Sequence, residues 1–228
     1  MIEGGPEAAR TTIGEHVMIG ANATICAGVQ VGAGAEVRPG AVVMRNVPPN
    51  AIVSGNPARI EGYVDTGITD DRASERETRA LGARSCSVRG VTIHELPLYE
   101  DLRGRLSVGQ IEDDLPFLPK RYFLVFDVPG EEVRGEHAHL ECHQFLICVR
   151  GSCAVVVDDG MARAEIRLDR PNKGLYLPPM TWGIQYRYTR DAVLLVFASH
   201  LYDPADYIRK YSDFLERKRV QIYASESE

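Results

Sequence analysis

Aliphatic residues recur at every sixth position near the start of the chain, and this repeat constrains the fold more than any other sequence feature. The repeated positions are Ile13, Ile19, Ile25, Val31, Val37 and Val43, and a small or aliphatic residue follows four positions after each. Glycine directly follows the aliphatic residue at Gly14, Gly20 and Gly32. A six-residue period predicts a parallel β-helix, in which each flat face contributes one inward aliphatic side chain and small residues fit the turns between faces.

The repeat resembles the last coils of the left-handed β-helix acyltransferases, the hexapeptide-repeat family. The stretch 46–58, rich in proline and asparagine, is expected to leave the last coil. Six hexapeptides make about two coils, fewer than the ~3 units that a solenoid usually needs to be stable alone. His16 is the only histidine of the repeat, and we interpret it as a surface turn residue. We therefore expect residues 11–62 to serve association with copies of the chain.

A polar and highly charged stretch, TDDRASERE at residues 69–77, follows the repeat and contains few apolar anchors. Such a composition is typical of a linker. The sequence therefore predicts three parts: a partial β-helix over 1–62, a linker over 63–89 and a second domain over 90–228.

Short strands separated by turn signals dominate the second domain. Segments rich in β-branched and aromatic residues cover 91–93, 122–126, 144–149, 154–157, 164–168, 174–177 and 193–198. Many short strands at this spacing predict a sandwich or a double-stranded barrel. A helix is predicted from Pro204 to about Arg219, with Asp203 at its start and its apolar residues packed on the core.

Composition and charge exclude several classes of protein. The chain is 44% apolar and 25% charged, with a formal net charge of −6, which disfavours a nucleic-acid-binding surface. No apolar run approaches the ~18 residues of a membrane span, and residues 1–10 lack the layout of a secretory signal. We therefore expect a cytosolic protein without a membrane partner. The five cysteines include no C-x-x-C pair, so reduced thiols are expected.

The segment RGEHAHLECHQ at residues 134–144 carries most of the candidate chemistry. Strand alternation places His137 and His139 on one face, and inward histidines in a small barrel are costly unless they bind or act on something. This H-x-H segment resembles the first cupin motif. Metal-binding cupins have a glutamate where this chain has Gln144, and residues 174–183 contain no histidine. Acid–base catalysis without a metal is therefore favoured, while a metal site that uses His143 or Glu141, or a purely structural role, stays open.

Further segments extend the resemblance beyond the histidines. They include DLRGRL at 101–106, LPFLPKRYF at 115–123 and YDPADYIR at 202–209. Together they resemble the cupin-type sugar 3,4-ketoisomerases that act on dTDP-4-keto-6-deoxyglucose, over about residues 91–216. That family includes bifunctional members with a hexapeptide-repeat acetyltransferase ahead of the ketoisomerase. The resemblance implies a mainly β chain: a short left-handed parallel β-helix, then a cupin barrel with a C-terminal helix.

The resemblance also implies an isomerase that moves the keto group of a dTDP-linked 4-keto-6-deoxyhexose from C4 to C3 through an enediol, without a cofactor, in deoxy- or amino-sugar biosynthesis. His139 is the expected base and His137 a second proton carrier or its orienting partner, while Arg105 and Tyr122 are candidates to stabilise the enediolate. The candidate substrate-binding residues are Arg103, Arg121 and Arg134 for the phosphates, Gln144 for the sugar, and Tyr176 and Trp182 as pocket walls or, alternatively, core residues.

Two other functions stay open from the sequence. One is an N-acetyltransferase that uses the β-helix to modify a nucleotide-linked amino sugar, and the other is a non-catalytic cupin that binds a sugar nucleotide. The expected partners are the dTDP-linked keto-sugar and other copies of the chain. Cupins of this type are expected to form dimers and stacked coils to form trimers. The gluco and galacto configurations at C4 of the product both stay open.

Overall fold

The computed structural model describes residues 10–68, 82–129 and 132–225. The chain divides into two compact units, Met1–Thr66 and Gly67–Glu228. Strands supply most of the regular structure in both units. No helix among the described residues is both long enough and apolar enough to cross a bilayer.

The first unit is a stack of very short parallel strands. They are β1 (Thr12–Ile13), β2 (Met18–Ile19), β3 (Thr24–Ile25), β4 (Gln30–Val31), β5 (Glu36–Val37), β6 (Val42–Val43), β7 (Ala51–Ser54) and β8 (Arg59–Tyr63). β1 pairs in parallel with β4, β2 with β5 and β3 with β6. Each strand therefore stacks on the strand three hexapeptides further along, which confirms the predicted parallel coils.

The repeat glycines lie where the backbone of the next coil passes closest. A Cβ atom on Gly14 would lie 2.5 Å from the backbone nitrogen of Ala33, which is closer than any side chain tolerates. Burial of the inward aliphatic residues increases along the stack, from 51% exposed at Ile13 to 3% at Val31, because the second coil has neighbours on both sides. His16 lies exposed in a turn with φ 57°, as predicted.

The prediction that 46–58 leaves the stack was wrong for its central part. Val47 bridges Val31 in parallel and β7 pairs in parallel with β5, so the coils continue to Ser54. Val47 and Val53 are 6% and 3% exposed, and burying these two side chains on the preceding coil favours the continued winding. Only β8, which runs antiparallel to β7, departs from the pattern.

The strands from β9 onward form the second architecture. They are β9 (Thr66–Ile68), β10 (Gly82–Ser85), β11 (Thr92–Glu95), β12 (Leu98–Asp101), β13 (Gly104–Ser107), β14 (Arg121–Phe126), β15 (Arg134–His139), β16 (Gln144–Arg150), β17 (Cys153–Asp158), β18 (Arg163–Leu168), β19 (Lys173–Leu177), β20 (Trp182–Tyr186), β21 (Val193–Ala198) and β22 (Tyr207–Ile208). The helices are α1 (Ile111–Asp114) and α2 (Tyr211–Ser225).

Two six-stranded sheets enclose one core. Their strand orders are β10-β11-β19-β16-β21-β14 and β22-β15-β20-β17-β18-β9, and β12 and β13 pair as a separate hairpin. Leu146 and Leu175 from the first sheet and Val155 and Ile166 from the second belong to the same buried cluster. All seven predicted strand segments are present, and the sequence analysis did not predict β9, β10, β12, β13, β20 and β22.

Residues 69–81 of the predicted linker over 63–89 lie outside the described residues. Its described flanks belong to strands, since β10 pairs with β11 and β9 joins the edge of the second sheet. The boundaries of the three predicted parts therefore stay predictions.

The C-terminal helix begins later than predicted, at Tyr211 rather than Pro204. Asp203 does cap a turn, because its carboxylate accepts a hydrogen bond from the Ala205 amide at 2.8 Å, but that turn is a single 3₁₀ turn over Pro204–Asp206. The next two residues form β22, which pairs with β15. Pairing with β15 satisfies backbone groups that the predicted helix would have used, so the helix starts only beyond it.

A buried polar cluster anchors α2 to the barrel. The Tyr211 hydroxyl donates to Asp158 Oδ2 at 2.6 Å, and the Arg163 Nε donates to the same oxygen at 2.9 Å. The Trp182 ring packs edge-on against Tyr211 at 5.3 Å and lies 5.7 Å from Phe214, which is fully buried. These contacts hold in place the segment just before α2, which supplies part of the site described next.

Candidate active site

A cavity inside the second unit brings together polar side chains from several strands. It is lined by His137, His139, Cys142, Gln144, Leu177, Pro178, Thr181, Gly183 and Gln185. On β20 the alternate residues Gly183 and Gln185 face this cavity, so strand alternation turns Trp182 to the opposite face, where α2 packs. Trp182 is therefore a core residue rather than a pocket wall, which is the alternative that the sequence analysis left open.

A β-bulge precedes the two histidines. The pairing of β15 with β20 shifts register between Gly135 and His137, and the extra residue, Glu136, has φ 52°. Gly135 has φ 83°, and a Cβ atom there would lie 2.6 Å from the Gly183 carbonyl oxygen. Beyond the bulge the alternation is regular, so both imidazoles reach the cavity, with ring centroids 5.0 Å apart.

His139 is held from both sides of its ring. Its Nδ1 lies 2.7 Å from Asp206 Oδ2, and its Nε2 lies 3.2 Å from the side-chain amide nitrogen of Gln144. A carboxylate only accepts and an amide nitrogen only donates, so this arrangement assigns the proton to Nδ1 and a lone pair to Nε2. His139 therefore presents a basic nitrogen to the cavity side of the ring.

Asp206 is fixed independently of the histidine. Its second oxygen, Oδ1, accepts a hydrogen bond from the Glu141 backbone amide at 2.7 Å. Burial alone would raise the pKa of Asp206, yet the hydrogen bonds from Glu141 and His139 outweigh it and lower that pKa. The carboxylate therefore stays charged at neutral pH and orients the imidazole, as the acidic member of a histidine–aspartate pair does in other enzymes.

Both cavity histidines are neutral at physiological pH. Burial lowers the pKa of His137 to about 4 and also lowers the pKa of His139, where Asp206 opposes the shift. The His137 Nδ1 lies 2.9 Å from the Gly135 carbonyl oxygen, which can only accept, so its Nε2 also carries a lone pair. Two neutral imidazoles side by side are suited to accept and return protons.

The depressed pKa of His137 predicts a pH-dependent stability. The unfolded chain binds a proton at this residue as the pH falls through 6.5, whereas the folded protein does so only near 4, so stability decreases across that interval. The expected loss is up to about 3 kcal/mol. Urea unfolding of the H137Q variant is expected to show a shallower decrease than the natural chain over the same pH interval.

The control for this experiment is H16Q, since His16 is exposed in a turn of the first unit. Its pH dependence is expected to match that of the natural chain. Equal slopes for H137Q and the natural chain would show that His137 does not carry the effect.

Tyr207 and Arg121 form the wall beside the histidines. The Tyr207 ring centroid lies 4.3 Å from that of His139 and 4.9 Å from that of His137. Arg121 Nη2 donates to the Tyr207 hydroxyl at 3.4 Å, and its Nε donates to the His200 carbonyl at 3.0 Å. A guanidinium thus stands next to the imidazole pair and supplies positive charge there.

Four predicted site residues, besides Arg121, Tyr176 and Trp182, lie outside the cavity lining. Tyr122 is 67% exposed, because the inward positions of β14 on either side of it are Arg121 and Phe123. Arg103 and Arg105 project from the β12–β13 hairpin, where they pair with Asp101 and Glu100. Arg134 is exposed at the start of β15. The structure therefore does not bring these four to the histidines within one chain.

Tyr176 lies on the outer face of its sheet rather than in the cavity. Its hydroxyl is 2.7 Å from His143 Nδ1, and the two rings stack at 5.9 Å with Phe117 nearby. His143 makes this contact and is thereby turned away from the cavity. It is not positioned to rescue a metal site with His137 and His139.

One group among the described residues could hold a metal ion. Ligand atoms of His139, Cys142 and Asp206 lie within 4.8 Å of one another. Sulfur, imidazole and carboxylate suit zinc, but His139 and Asp206 already share a proton at 2.7 Å, so a metal would have to displace it. The donor set therefore fits a proton-transfer pair better than a resident metal.

Asp206 is a candidate site residue that the sequence analysis missed. It lies inside YDPADYIR, where the sequence predicted the first turn of a helix. The feature that identifies Asp206 is its position directly before Tyr207–Ile208. This two-residue strand pairs with β15, which carries His139. Because His139 lies opposite Tyr207, the side chain of the preceding residue reaches the imidazole.

Both parts of the chain match known protein families. The profile of the FdtA family, described as WxcM-like, C-terminal, matches residues 89–219, and that of the bacterial transferase hexapeptide (six repeats) matches residues 10–45. The TDP-4-oxo-6-deoxy-alpha-D-glucose-3,4-oxoisomerase of Aneurinibacillus thermoaerophilus is 45% identical over 114 residues, 50% of this chain and 82% of that protein.

A solved structure of a sugar 3,4-ketoisomerase is also similar to this chain. QdtA, a sugar 3,4-ketoisomerase from Thermoanaerobacterium thermosaccharolyticum in complex with TDP, matches with a TM-score of 0.57 at 32% identity, covering 58% of this chain and 97% of that chain.

The first unit has a different relative. The 2,3,4,5-tetrahydropyridine-2,6-dicarboxylate N-acetyltransferase of Alkaliphilus metalliredigens (strain QYMF) is 42% identical over 76 residues, 33% of this chain. The chain spans only 32% of that acetyltransferase. The match therefore supports the repeat rather than the activity.

The two facing sheets and the histidine-lined cavity define the second unit as a cupin, a double-stranded β-helix. This cupin follows a hexapeptide-repeat segment in the same chain. The chain belongs to the FdtA family of WxcM-like, C-terminal domains, whose profile covers more than half of its 228 residues.

Proposed function

We propose that this chain moves the keto group of a dTDP-linked 4-keto-6-deoxyhexose from C4 to C3. The observation that carries the proposal is the His139–Asp206 pair at 2.7 Å, which leaves a basic nitrogen beside a second neutral imidazole. The relatives described above are 3,4-ketoisomerases and one of them binds TDP, which supports the same substrate class for this chain.

The chemistry needs only proton transfers. His139 Nε2 takes the proton from C3, and the electron pair of that C–H bond forms the C3–C4 double bond as the C4 oxygen gains a proton. The resulting enediol then loses the proton of its C3 oxygen and gains one at C4, which leaves the ketone at C3. Protons and electrons balance within the sugar, so no redox cofactor is needed.

The groups around the base have separate roles in this proposal. His137 carries the proton between the two sugar oxygens, because its Nε2 lone pair is free to accept one. Arg121, held against Tyr207, stabilises the negative charge of the enediolate or of the substrate phosphates. The Gln144 amide donates toward His139 Nε2 in the structure. In this proposal a sugar hydroxyl replaces that contact, and the Gln144 amide helps to orient the hydroxyl.

The first unit serves association rather than catalysis in this proposal. We infer that its coils wind in the left-handed sense and bring copies of the chain together, as homologous hexapeptide segments imply. Its one histidine, His16, is exposed in a turn, which disfavours acetyl transfer. The predicted parts, 1–62 and 90–228, then separate association from chemistry.

The proposal is tested by incubating the natural chain with dTDP-4-keto-6-deoxyglucose in D₂O and following the sugar by NMR. A 3-keto product that carries deuterium at C4 is the expected result, with turnover unaffected by EDTA. Binding without exchange or product would instead favour a non-catalytic sugar-nucleotide-binding cupin. Turnover that is lost in EDTA and restored by a divalent metal would contradict the metal-free mechanism.

A further inference from the structure

The turn that follows β15 carries a thiol beside the candidate base. Cys142 lines the same cavity as His139 and is 2% exposed. Its sulfur donates to the His143 carbonyl oxygen at 3.4 Å and accepts from the Ser199 hydroxyl at 3.9 Å, and both are weak contacts. The proposed reaction gives this buried thiol no role, although a thiol next to a histidine and a carboxylate is a metal ligand in many proteins.

Asp206 folds this turn around itself. Its carboxylate accepts hydrogen bonds from the backbone amides of Glu141 and Cys142. Its carbonyl oxygen accepts another from the Leu140 amide at 2.9 Å. The turn thereby carries the Cys142 side chain back toward the His139–Asp206 pair, and ligand atoms of these three residues lie within 4.8 Å of one another.

The three donors are those that zinc prefers. Zinc sites combine thiolate, imidazole and carboxylate, often with two residues between ligands, as between His139 and Cys142, and three protein ligands leave a fourth position for water. Mg²⁺ and Ca²⁺ prefer oxygen ligands, so the sulfur and the imidazole disfavour them. A bound Zn²⁺ deprotonates a coordinating thiol, and the resulting thiolate and the Asp206 carboxylate balance the two charges of the ion.

Two features prevent zinc from being a permanent ligand. The guanidinium of Arg121 lies within hydrogen-bonding reach of Cys142, and its positive charge repels a divalent cation. The hydrogen bond between His139 Nδ1 and Asp206 at 2.7 Å must also break before a metal can enter. The site therefore suits an ion that competes for these ligands when its concentration rises, rather than a resident cofactor.

We propose that Zn²⁺ binds reversibly to His139 Nδ1, Cys142 and Asp206 and thereby inhibits the enzyme. The inhibition rests on the proposed function, whereas the metal site does not. A nitrogen that ligates a metal cannot keep its proton, so the Nδ1 proton moves to Nε2 and the ring stays neutral. The thiol of Cys142 releases its proton to solvent. The ion thus binds on the Asp206 side of the ring and removes the lone pair on the other side, which the base needs.

Cobalt(II) is the probe for the site, because it takes the same kinds of ligand as zinc and its complexes absorb light. Titration of the reduced full chain is expected to give a near-ultraviolet band from thiolate-to-cobalt charge transfer, and added Zn²⁺ is expected to remove it. The C142S variant is expected to lose the band and to bind zinc about 100-fold more weakly, since even losing an outer partner of a ligand costs about 10–100-fold.

The matched control is C86S, because Cys86 is also a free thiol of the second unit but lies outside the cavity lining. Its cobalt spectrum is expected to match that of the natural chain. A charge-transfer band that persists in C142S would overturn the proposed site, and so would a natural chain that gives no such band.

Nitrogen-15 NMR of the histidine rings tests the tautomer in the natural chain, so this measurement does not depend on the folding of a variant. Saturating zinc is expected to move the His139 proton from Nδ1 to Nε2, and an unchanged His139 signal would overturn the proposal.

Turnover assays test the inhibition separately. Zinc is expected to stop the isomerisation, EDTA to restore it, and C142S to need about 100-fold more zinc for the same inhibition. Turnover that saturating zinc leaves unchanged would overturn the inhibition. A chain that binds cobalt through Cys142 but never isomerises the keto-sugar would refute the proposed function, and the inhibition with it, while confirming the metal site.

Discussion

The H139N variant is expected to isomerise the keto-sugar about 10²–10⁴-fold more slowly than the natural chain, which is the range that a general base contributes. An asparagine amide occupies part of the imidazole volume and can still donate to Asp206, but it has no lone pair that accepts a proton at neutral pH. Initial rates and deuterium incorporation at C4 are expected to fall together, because C4 is protonated only after the C3 proton has been removed.

The matched control is H94N. His94 is also partly buried, but it bonds Thr92 and does not line the cavity. Its rate is expected to stay within about threefold of the natural chain, a change that corresponds to less than 1 kcal/mol in the barrier. An active H139N protein together with an inactive H137N protein would assign the base to His137 and contradict the role given to His139.

The D206N variant is expected to lose about 10²-fold or more in kcat with a small change in KM, although Asp206 acts only through His139. An asparagine amide can donate to Nδ1, which moves the histidine proton to Nε2 and removes the lone pair that faces the sugar; this wrong-tautomer effect costs about 10⁴-fold in serine proteases. Nitrogen-15 NMR of the histidine rings is expected to report the change of tautomer directly.

The pH profile of the D206N variant distinguishes loss of the contact that orients His139 from a general loss of structure. Burial lowers the pKa of His139 and Asp206 raises it, so the acid limb of the residual D206N activity is expected to move to lower pH. The D203N variant is the control, because Asp203 caps the same turn but lies outside the histidine contacts. If D203N and D206N lose activity equally and keep the same acid limb, the turn rather than the dyad is responsible.

Periodicity predicted the two architectures because each depends on local spacing. The six-residue period of the aliphatic residues follows directly from the coil geometry, and β1 to β6 occur where it places them. The seven strand segments of the barrel were likewise visible as β-branched and aromatic runs. The C-terminal segment was misassigned because its propensity favours helix from Pro204, whereas a 3₁₀ turn over Pro204–Asp206 and the pairing of β22 with β15 delay the helix to Tyr211.

Local sequence patterns predict only part of the candidate site. Alternation along β15 was enough to predict that His137 and His139 share a face, since the two residues are adjacent in one strand. Tyr122 and Trp182 were selected by resemblance, but strand register turns Tyr122 to the outer face of its sheet and Trp182 toward α2. A one-residue shift of register reverses which face a side chain occupies, and no local pattern reveals that shift.

The sequence by itself determined that the chain is a short hexapeptide-repeat stack followed by a β barrel with two inward histidines, because spacing along one strand is a local property. Only the tertiary structure decided which residue completes the pair. Asp206 lies 67 positions after His139 and reaches it because β22 docks on β15. The docking sets the tautomer of His139, so the oriented base exists only in the folded chain.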